Sequence, residues 1–267
     1  MRLILFLLMP AMLFAGSDPS KKNKKKKKWK LTWSEEFNYN GMPDSGKWTY
    51  DTGGHGWGNN ELQYYTEASP KNVQVSNGTL KINAIKEEKD GKQYTSARLI
   101  TRGKAGFTYG KIEIRAKLPP GRGLWPAIWM LGNNINTVDW PECGEIDIME
   151  HVGFEKDSIF GTVHTKSYNH VIGTQKTKKA FIKDPYGSFH VYSIEWTPEK
   201  MDFLLDGKVF NHFANEHKTI SEWPFDFPFY LVLNIAVGGN LGGMKGLDEN
   251  VFPATMEVDY VRVYSNQ

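Results

Sequence analysis

Disulfide cross-linking is excluded at once, because the 267-residue chain contains a single cysteine, Cys143. Its stability has to come from burial or a bound ion, and a lone thiol of this kind reads as a small buried core residue. Catalytic zinc is poorly served too. His55, His151, His164, His170, His190, His212 and His217 show no His-Glu-x-x-His or paired spacing. A nucleophile elbow, a phosphate-binding loop and a Ser/His/Asp order are all missing. No ten-residue segment keeps a helical period, which argues against helix bundles and alternating α/β folds. The apolar run from Leu3 to Phe14 is broken by Pro10 and too short to cross a bilayer. No internal repeat is visible.

That run nevertheless has a use. With Arg2 ahead of it and small residues at Ala15 to Ser17, residues 1–16 read as a secretory signal, so the protein is expected outside the cytoplasm, extracellular or periplasmic. Residues 17–28 form a lysine-rich tether. Seven of its residues, Lys21, Lys22 and Lys24 to Lys28, supply seven positive charges against a formal net charge of +3 for the whole chain; taking away these lysines, Arg2 and Asp18 leaves the remainder at −4. A uniform charge run is first of all a solvated segment, and no Lys/Arg stripe continues into the acidic body. Nucleic acid is therefore not an expected partner. Residues 29–267 are long enough, at 40% apolar composition for the whole chain, for one large domain, expected to act as a monomer.

From Trp29 onward the text reads as short strands punctuated by Gly, Pro, Asn and Asp. Thirteen are expected: Leu31 to Phe37, Asn72 to Val75, Leu80 to Ile85, Ala97 to Thr101, Phe107 to Leu118, Ala127 to Leu131, Glu145 to His151, Ile159 to Thr165, His190 to Trp196, Met201 to Leu205, Lys208 to Phe213, Tyr230 to Ala236 and Thr255 to Tyr264. Such a count predicts an all-β sandwich or jelly roll. Asp206-Gly207 suits a two-residue hairpin turn. Lys111, Glu113, Arg115 and Lys117 alternate with Ile112, Ile114, Ala116 and Leu118, giving that strand a dry and a wet face. Asn38 to Pro70 and Tyr168 to Gly187 read as long surface loops.

Charge sits in an unusual place at Gly144-Glu-Ile-Asp-Ile-Met-Glu150, where three carboxylates interrupt large apolar residues. Alternation puts Glu145 and Asp147 on one strand face and Glu150 on the other. A β-bulge at Ile148 and Met149 would return Glu150 to the first face. Three carboxyls in a row repel, which raises their pKa values and keeps at least one protonated. One protonated acid beside one ionised carboxylate is what retaining glycoside hydrolysis uses. The residues alone do not say which acid plays which part, and close carboxylates are also what a calcium site needs. Just upstream, Trp125 and Trp129 share a face by even spacing and Trp140 follows, so broad indole planes that suit the apolar faces of sugar rings stand beside the acids.

Together Trp57-Gly-Asn-Asn-Glu-Leu-Gln-Tyr-Tyr-Thr66, Ser96-Ala-Arg-Leu99, Tyr109-Gly-Lys-Ile-Glu113, Gly123-Leu-Trp-Pro-Ala-Ile-Trp-Met-Leu131, the acidic strand and Val237-Gly-Gly-Asn240 resemble glycoside hydrolase family 16, and within it the laminarinases, endo-acting β-1,3-glucanases. The resemblance runs from about Leu31 to Tyr264. It implies a jelly roll of two curved antiparallel sheets with β-glucan along the concave face. It also implies Glu145 as nucleophile, Glu150 as general acid/base and Asp147 as the acid that tunes them. By the same resemblance Asn60, Arg98, Trp125, Trp129 and His164 line sugar subsites. Glu36, the Gly78 carbonyl and Asp259 match a structural calcium site on the convex side, with no cofactor for catalysis.

The E-x-D-x-x-E spacing resembles laminarinases, agarases and carrageenases rather than mixed-linkage lichenases. Leu241 departs from the pattern, since many relatives carry Trp after Gly-Gly-Asn, which puts subsite number and fine preference in question. Two other readings stay open: a galactan hydrolase of the same family, and a β-glucan recognition protein on the same fold. The retained Glu145, Asp147 and Glu150 speak against the second.

Overall fold

A computed structural model describes residues 28–267. The expected signal at 1–16 and the tether at 17–28, apart from Lys28, lie outside the described residues. Two large antiparallel sheets stack on each other. In the eight-stranded sheet the order is β15 (Lys208–Ala214), β14 (Lys200–Leu205), β13 (His190–Thr197), β8 (Gly110–Lys117), β17 (Ala254–Asn266), β5 (Thr79–Ala84) and β4 (Val73–Ser76), with β1 (Trp29–Glu35) also pairing β17. The seven-stranded sheet runs β12 (Lys176–Phe181), β11 (Ser158–His164), β10 (Glu145–Glu150), β9 (Leu124–Gly132), β16 (Phe229–Val237), β7 (Arg98–Ile100) and β2 (Thr49–Asp51). A short parallel pair, β3 (Gln63–Tyr65) and β6 (Tyr94–Ser96), stands beside them. No helix among the described residues is long and apolar enough to cross a membrane.

Burial follows the pleat. On β8, Ile112, Ile114 and Ala116 are buried between the sheets, while Lys111 and Lys117 pair with Glu113 and Glu257 on the other face. β16 is buried along its whole length because both of its faces are covered. Leu231, Leu233, Ile235 and Val237 enter the core between the sheets. Each such side chain contributes roughly 2 kcal/mol on leaving water. The alternate residues Tyr230 and Val232 join a smaller cluster with Ile100, Leu131 and Cys143, whose thiol is buried. Asp206 and Gly207 both adopt positive φ, 48° and 75°, as a primed hairpin turn requires.

Four strands were not expected. β2, β3 and β6 are only three residues long, too short for a period to emerge. β12 falls inside the expected loop at Tyr168 to Gly187 because it has no apolar alternation: Lys-Thr-Lys-Lys-Ala-Phe is almost wholly exposed. It is the outer edge of its sheet, where lysines discourage pairing with another chain.

Candidate active site

The bulge is where alternation required it. Against β9, Glu145 faces Leu131, Asp147 faces Trp129 and Glu150 faces Ala127, so acids unevenly spaced in sequence meet partners spaced evenly by two. Against β11, Ile148 and Met149 fall between the pairs Asp147–Thr162 and Glu150–Phe160, opposite Gly161 alone. Both bulged side chains are buried in the core. Gly161 is needed there, since a Cβ would come within 2.8 Å of Phe210 and 3.0 Å of Phe203.

All three acids open into a groove of about 390 Å³ on the outer face of the seven-stranded sheet. That volume lies within the range of small-molecule sites. Its floor is β9 and β16, through Trp125, Ala127, Trp129, Leu131, Asn234 and Ala236. Its walls come from the loop before β3, with Trp57, Asn59 and Glu61, and from Trp140, His170 and Val171.

Electrostatics inside the groove favour shared protons. Burial, and then the charge of Glu150, push Glu145 up to about 7, although the charge of Arg98 and a hydrogen bond with Asp147 pull the other way. Glu150 also rises to about 7 through burial, against hydrogen bonds from Trp125 and Thr162. Asp147 is pushed well above the carboxylate range by burial and by both neighbouring glutamates. At neutral pH the row therefore holds protonated and ionised carboxyls side by side. Trp125 Nε1 donates to Glu150 Oε1 at 3.1 Å. His164 Nε2 lies 3.5 Å from Asp147 Oδ2 and 3.8 Å from Glu145 Oε1. Burial, with His170 nearby, lowers His164 to about 3, so it stands beside the acids as a neutral imidazole.

The raised values have a stability consequence. A carboxyl whose folded pKa exceeds its unfolded one stabilises the fold below the unfolded value, and that contribution is lost as pH rises through the folded value. For Glu150 the window runs from about 4.5 to about 7. Glu150→Gln is therefore expected to melt several degrees above the parent at pH 8, on the order of 2 kcal/mol, with much less difference at pH 4. Melting curves at the two pH values check this; an equal offset at both would remove the titration as its cause.

Arg98 is held more tightly than a simple sugar ligand. Its guanidinium lies over both the Trp57 and the Trp129 ring, 4.6 and 4.7 Å from their centroids, and its Nε donates to Asp51 Oδ2 at 3.1 Å. Cation–π contact with each ring helps fix Trp57 in the wall and Trp129 in the floor of the groove. Trp129 Nε1 donates to Asn234 Oδ1 at 2.7 Å, Asn234 Nδ2 donates to the Tyr65 hydroxyl at 2.9 Å, and that hydroxyl donates to Glu61 Oε2 at 3.2 Å. Gln63 Nε2 also donates to Glu61, at 2.6 Å. Burial raises the Glu61 carboxyl.

Of the residues expected in the site, the structure brings together Glu145, Asp147, Glu150, Arg98, Trp125, Trp129 and His164. Asn60 stands apart. It is exposed at φ 55°, its amide donates to Asn240 at 2.8 Å, and its neighbours Asn59 and Glu61 line the groove instead. Trp140, noted in the sequence as an indole beside the acids, does line the groove, whereas sequence reasoning gave no role to Trp57, Glu61, His170 and Asn234. Asn234 carried a signal, as the one amide in an otherwise apolar nine-residue strand.

Two ion sites can be tested on this geometry. Glu36 forms a two-pronged pair with Arg262 at 2.9 and 2.7 Å, and Asp259 pairs with Arg115. With both carboxylates held by guanidinium groups, Glu36, the Gly78 carbonyl and Asp259 do not present the free hard oxygens that calcium takes. Oxygen and nitrogen atoms of Glu145, Asp147 and His164 lie within 4.8 Å of one another, near enough to bridge a cation. However, His164 Nδ1 has no hydrogen-bond partner, whereas a ligating imidazole is normally oriented through its second nitrogen. No metal is assigned to either place.

A groove across an antiparallel sheet, walled by indoles and lined by a row of proton-sharing carboxyls, defines a carbohydrate-cleaving hydrolase of the jelly-roll class. The family model described as "Glycosyl hydrolases family 16" matches residues 60–262. The chain is 55% identical to a beta-glucanase of Rhodothermus marinus, over 93% of this chain and 88% of that protein. It superposes on the X-ray structure of a Rhodothermus marinus laminarinase with TM-score 0.89 at 53% identity, covering 91% of this chain and all of that one. A laminarinase from Flavobacterium sp. UMI-01 aligns with TM-score 0.81 at 46% identity, covering 88% and 100%. The chain belongs to glycosyl hydrolases family 16.

Proposed function

We propose that the protein is an endo-acting β-1,3-glucanase that works with retention, and that Glu145, Asp147 and Glu150 carry the chemistry. The supporting observation is the bulged row itself: three carboxyls on one wall of a groove, sharing protons at neutral pH. In the first step an ionised Glu145 attacks the anomeric carbon while Glu150 gives its proton to the departing glycosidic oxygen. In the second, Glu150 takes a proton from water, whose oxygen displaces Glu145 from the same carbon. Asp147 between them keeps a proton and a hydrogen bond toward Glu145, which favours the ionised nucleophile. The double displacement needs no cofactor. Trp57, Trp125 and Trp129 supply planes on which glucose rings stack.

The β-1,3 preference rests on likeness to proteins named laminarinase. A wider preference is also supported: a solved relative at 49% identity is described as a non-specific endo-β-1,3(4)-glucanase. Export is supported by the leader at 1–16, and mass spectrometry of protein recovered from the producing culture's medium would test it by locating the mature N-terminus. For substrate, the mature protein is incubated with laminarin, curdlan, mixed-linkage β-glucan and agarose, and the products are separated by chromatography. Short oligosaccharides from laminarin and curdlan, and none from agarose, are expected. Release from agarose alone would move the substrate to galactans, and silence in every lane with binding retained would leave a recognition protein.

A further inference from the structure

The groove face of β11 carries Phe160, Thr162 and His164, by the same alternation that sets Glu150, Asp147 and Glu145 on β10. Thr162 is 3% exposed and directly opposite Thr177 of the edge strand β12. The two hydroxyls are 2.8 Å apart and either can be the donor. Thr162 Oγ1 also donates to Glu150 Oε2 at 3.5 Å, a long contact of the kind that tightens when substrate binds. Meanwhile Glu150 Oε1 takes the indole N–H of Trp125, a group that can only donate. Oε1 is therefore a permanent acceptor, and the transferable proton of Glu150 belongs on Oε2, beside Thr162.

We propose that Thr162 and Thr177 are a reversible hydroxyl pair that positions Glu150 in both of its protonation states. This rests on the acid/base role proposed for Glu150. That role demands two opposite hydrogen-bond patterns at one oxygen. Before the first step Oε2 carries the proton, and the Thr162 O–H turns to Thr177. After the proton has gone to the leaving oxygen, Oε2 is an anion; the Thr162 O–H turns to it, and the Thr177 O–H donates to Thr162. When water returns a proton to Oε2, the pair reverts. No bond to either threonine forms or breaks. A fixed donor such as lysine would favour only the ionised form, and an apolar side chain only the protonated one. Two hydroxyls in series serve both, because each is donor and acceptor. Thr177 suits the part as an exposed residue whose remaining hydrogen-bonding capacity faces solvent.

The test is the basic limb of the kcat/KM profile on laminarin, which reports the group that must be protonated. The other charged or titratable groups around Glu150 and its groove are Glu145 and Asp147 on its own strand, His164 on β11, Arg98 across the groove, His55 and Glu61 in the loop before β3, His170 in the wall, and Lys179 of β12 with its partner Glu155; β9 presents none. The substitutions leave all of them in place. Thr162→Val removes a donor to the anion, so the limb is expected to move to higher pH by roughly half to one unit. Thr177→Val removes the alternative acceptor for the Thr162 O–H, biasing it toward Glu150, and moves the limb to lower pH by less. Thr162→Ser restores the parent profile. Both valine variants retain the shape of threonine on strands, and Thr177 is exposed, so folding is preserved. Limbs that stay put, or move together in one direction, overturn the pair when azide still rescues Glu150→Ala. If azide rescue is itself absent, it is the role of Glu150 that falls.

Discussion

Glu145→Gln folds, binds glucan and is expected to lose turnover on laminarin by ten-thousandfold or more, roughly 5.5 kcal/mol or more of transition-state stabilisation. A neutral amide oxygen is a far weaker nucleophile than a carboxylate anion and cannot balance the charge developing on the anomeric carbon, so the first step has no adequate nucleophile at this position. Asp147 cannot replace it. It is 3% exposed, held protonated by burial between two glutamates, and directed at Glu145 and His164. The fold is expected to tolerate the change because the substitution removes a like charge from a buried row. Far-ultraviolet circular dichroism and the melting temperature check the fold, while reducing-end release from laminarin checks turnover. A folded variant retaining more than a few per cent of the parent rate would take Glu145 out of the nucleophile role.

How far the site could be read in advance depends on whether its residues sit on regular strands. Glu145, Asp147 and Glu150 were legible because Ile148 and Met149 are two consecutive large apolar residues, which a strand can bury on one side only by bulging. Trp125 and Trp129 were legible by even spacing on β9. Period-two reasoning fails where the backbone leaves the extended region. Trp57 and Asn60 both adopt left-handed conformations, with φ 52° and 55°, so the loop turns twice within four residues. That is why Asn59 and Glu61, rather than Asn60, line the groove. The contact of Arg98 with two indoles joins residues from three separate stretches, and no local pattern encodes it. β12 was read as loop for a related reason. Its side chains look to solvent along most of their length, so the signal of a strand was absent even though its Thr177 lies one hydroxyl away from Glu150.

Glu150→Ala is expected to show a defect that depends on the leaving group. On laminarin the departing sugar oxygen is a poor leaving group and needs the proton, so turnover falls by about a hundred- to ten-thousandfold. A dinitrophenyl β-glucoside oligomer carries a leaving group that needs no acid, so formation of the glycosyl-enzyme is nearly unaffected and the intermediate accumulates for want of a base. Azide needs no deprotonation and fits the space left by the missing carboxyl. It should speed turnover of the activated substrate and give a β-glycosyl azide, since two inversions at the same carbon return the original configuration. The indole of Trp125 loses its acceptor in this variant, which opens rather than blocks the space beside the anomeric carbon. Gas release is not involved, and nuclear magnetic resonance of the product reads the configuration directly. An α-azide would mean a single displacement and would overturn the retaining mechanism. No azide effect, with laminarin turnover near that of the parent, would show that another group delivers the proton.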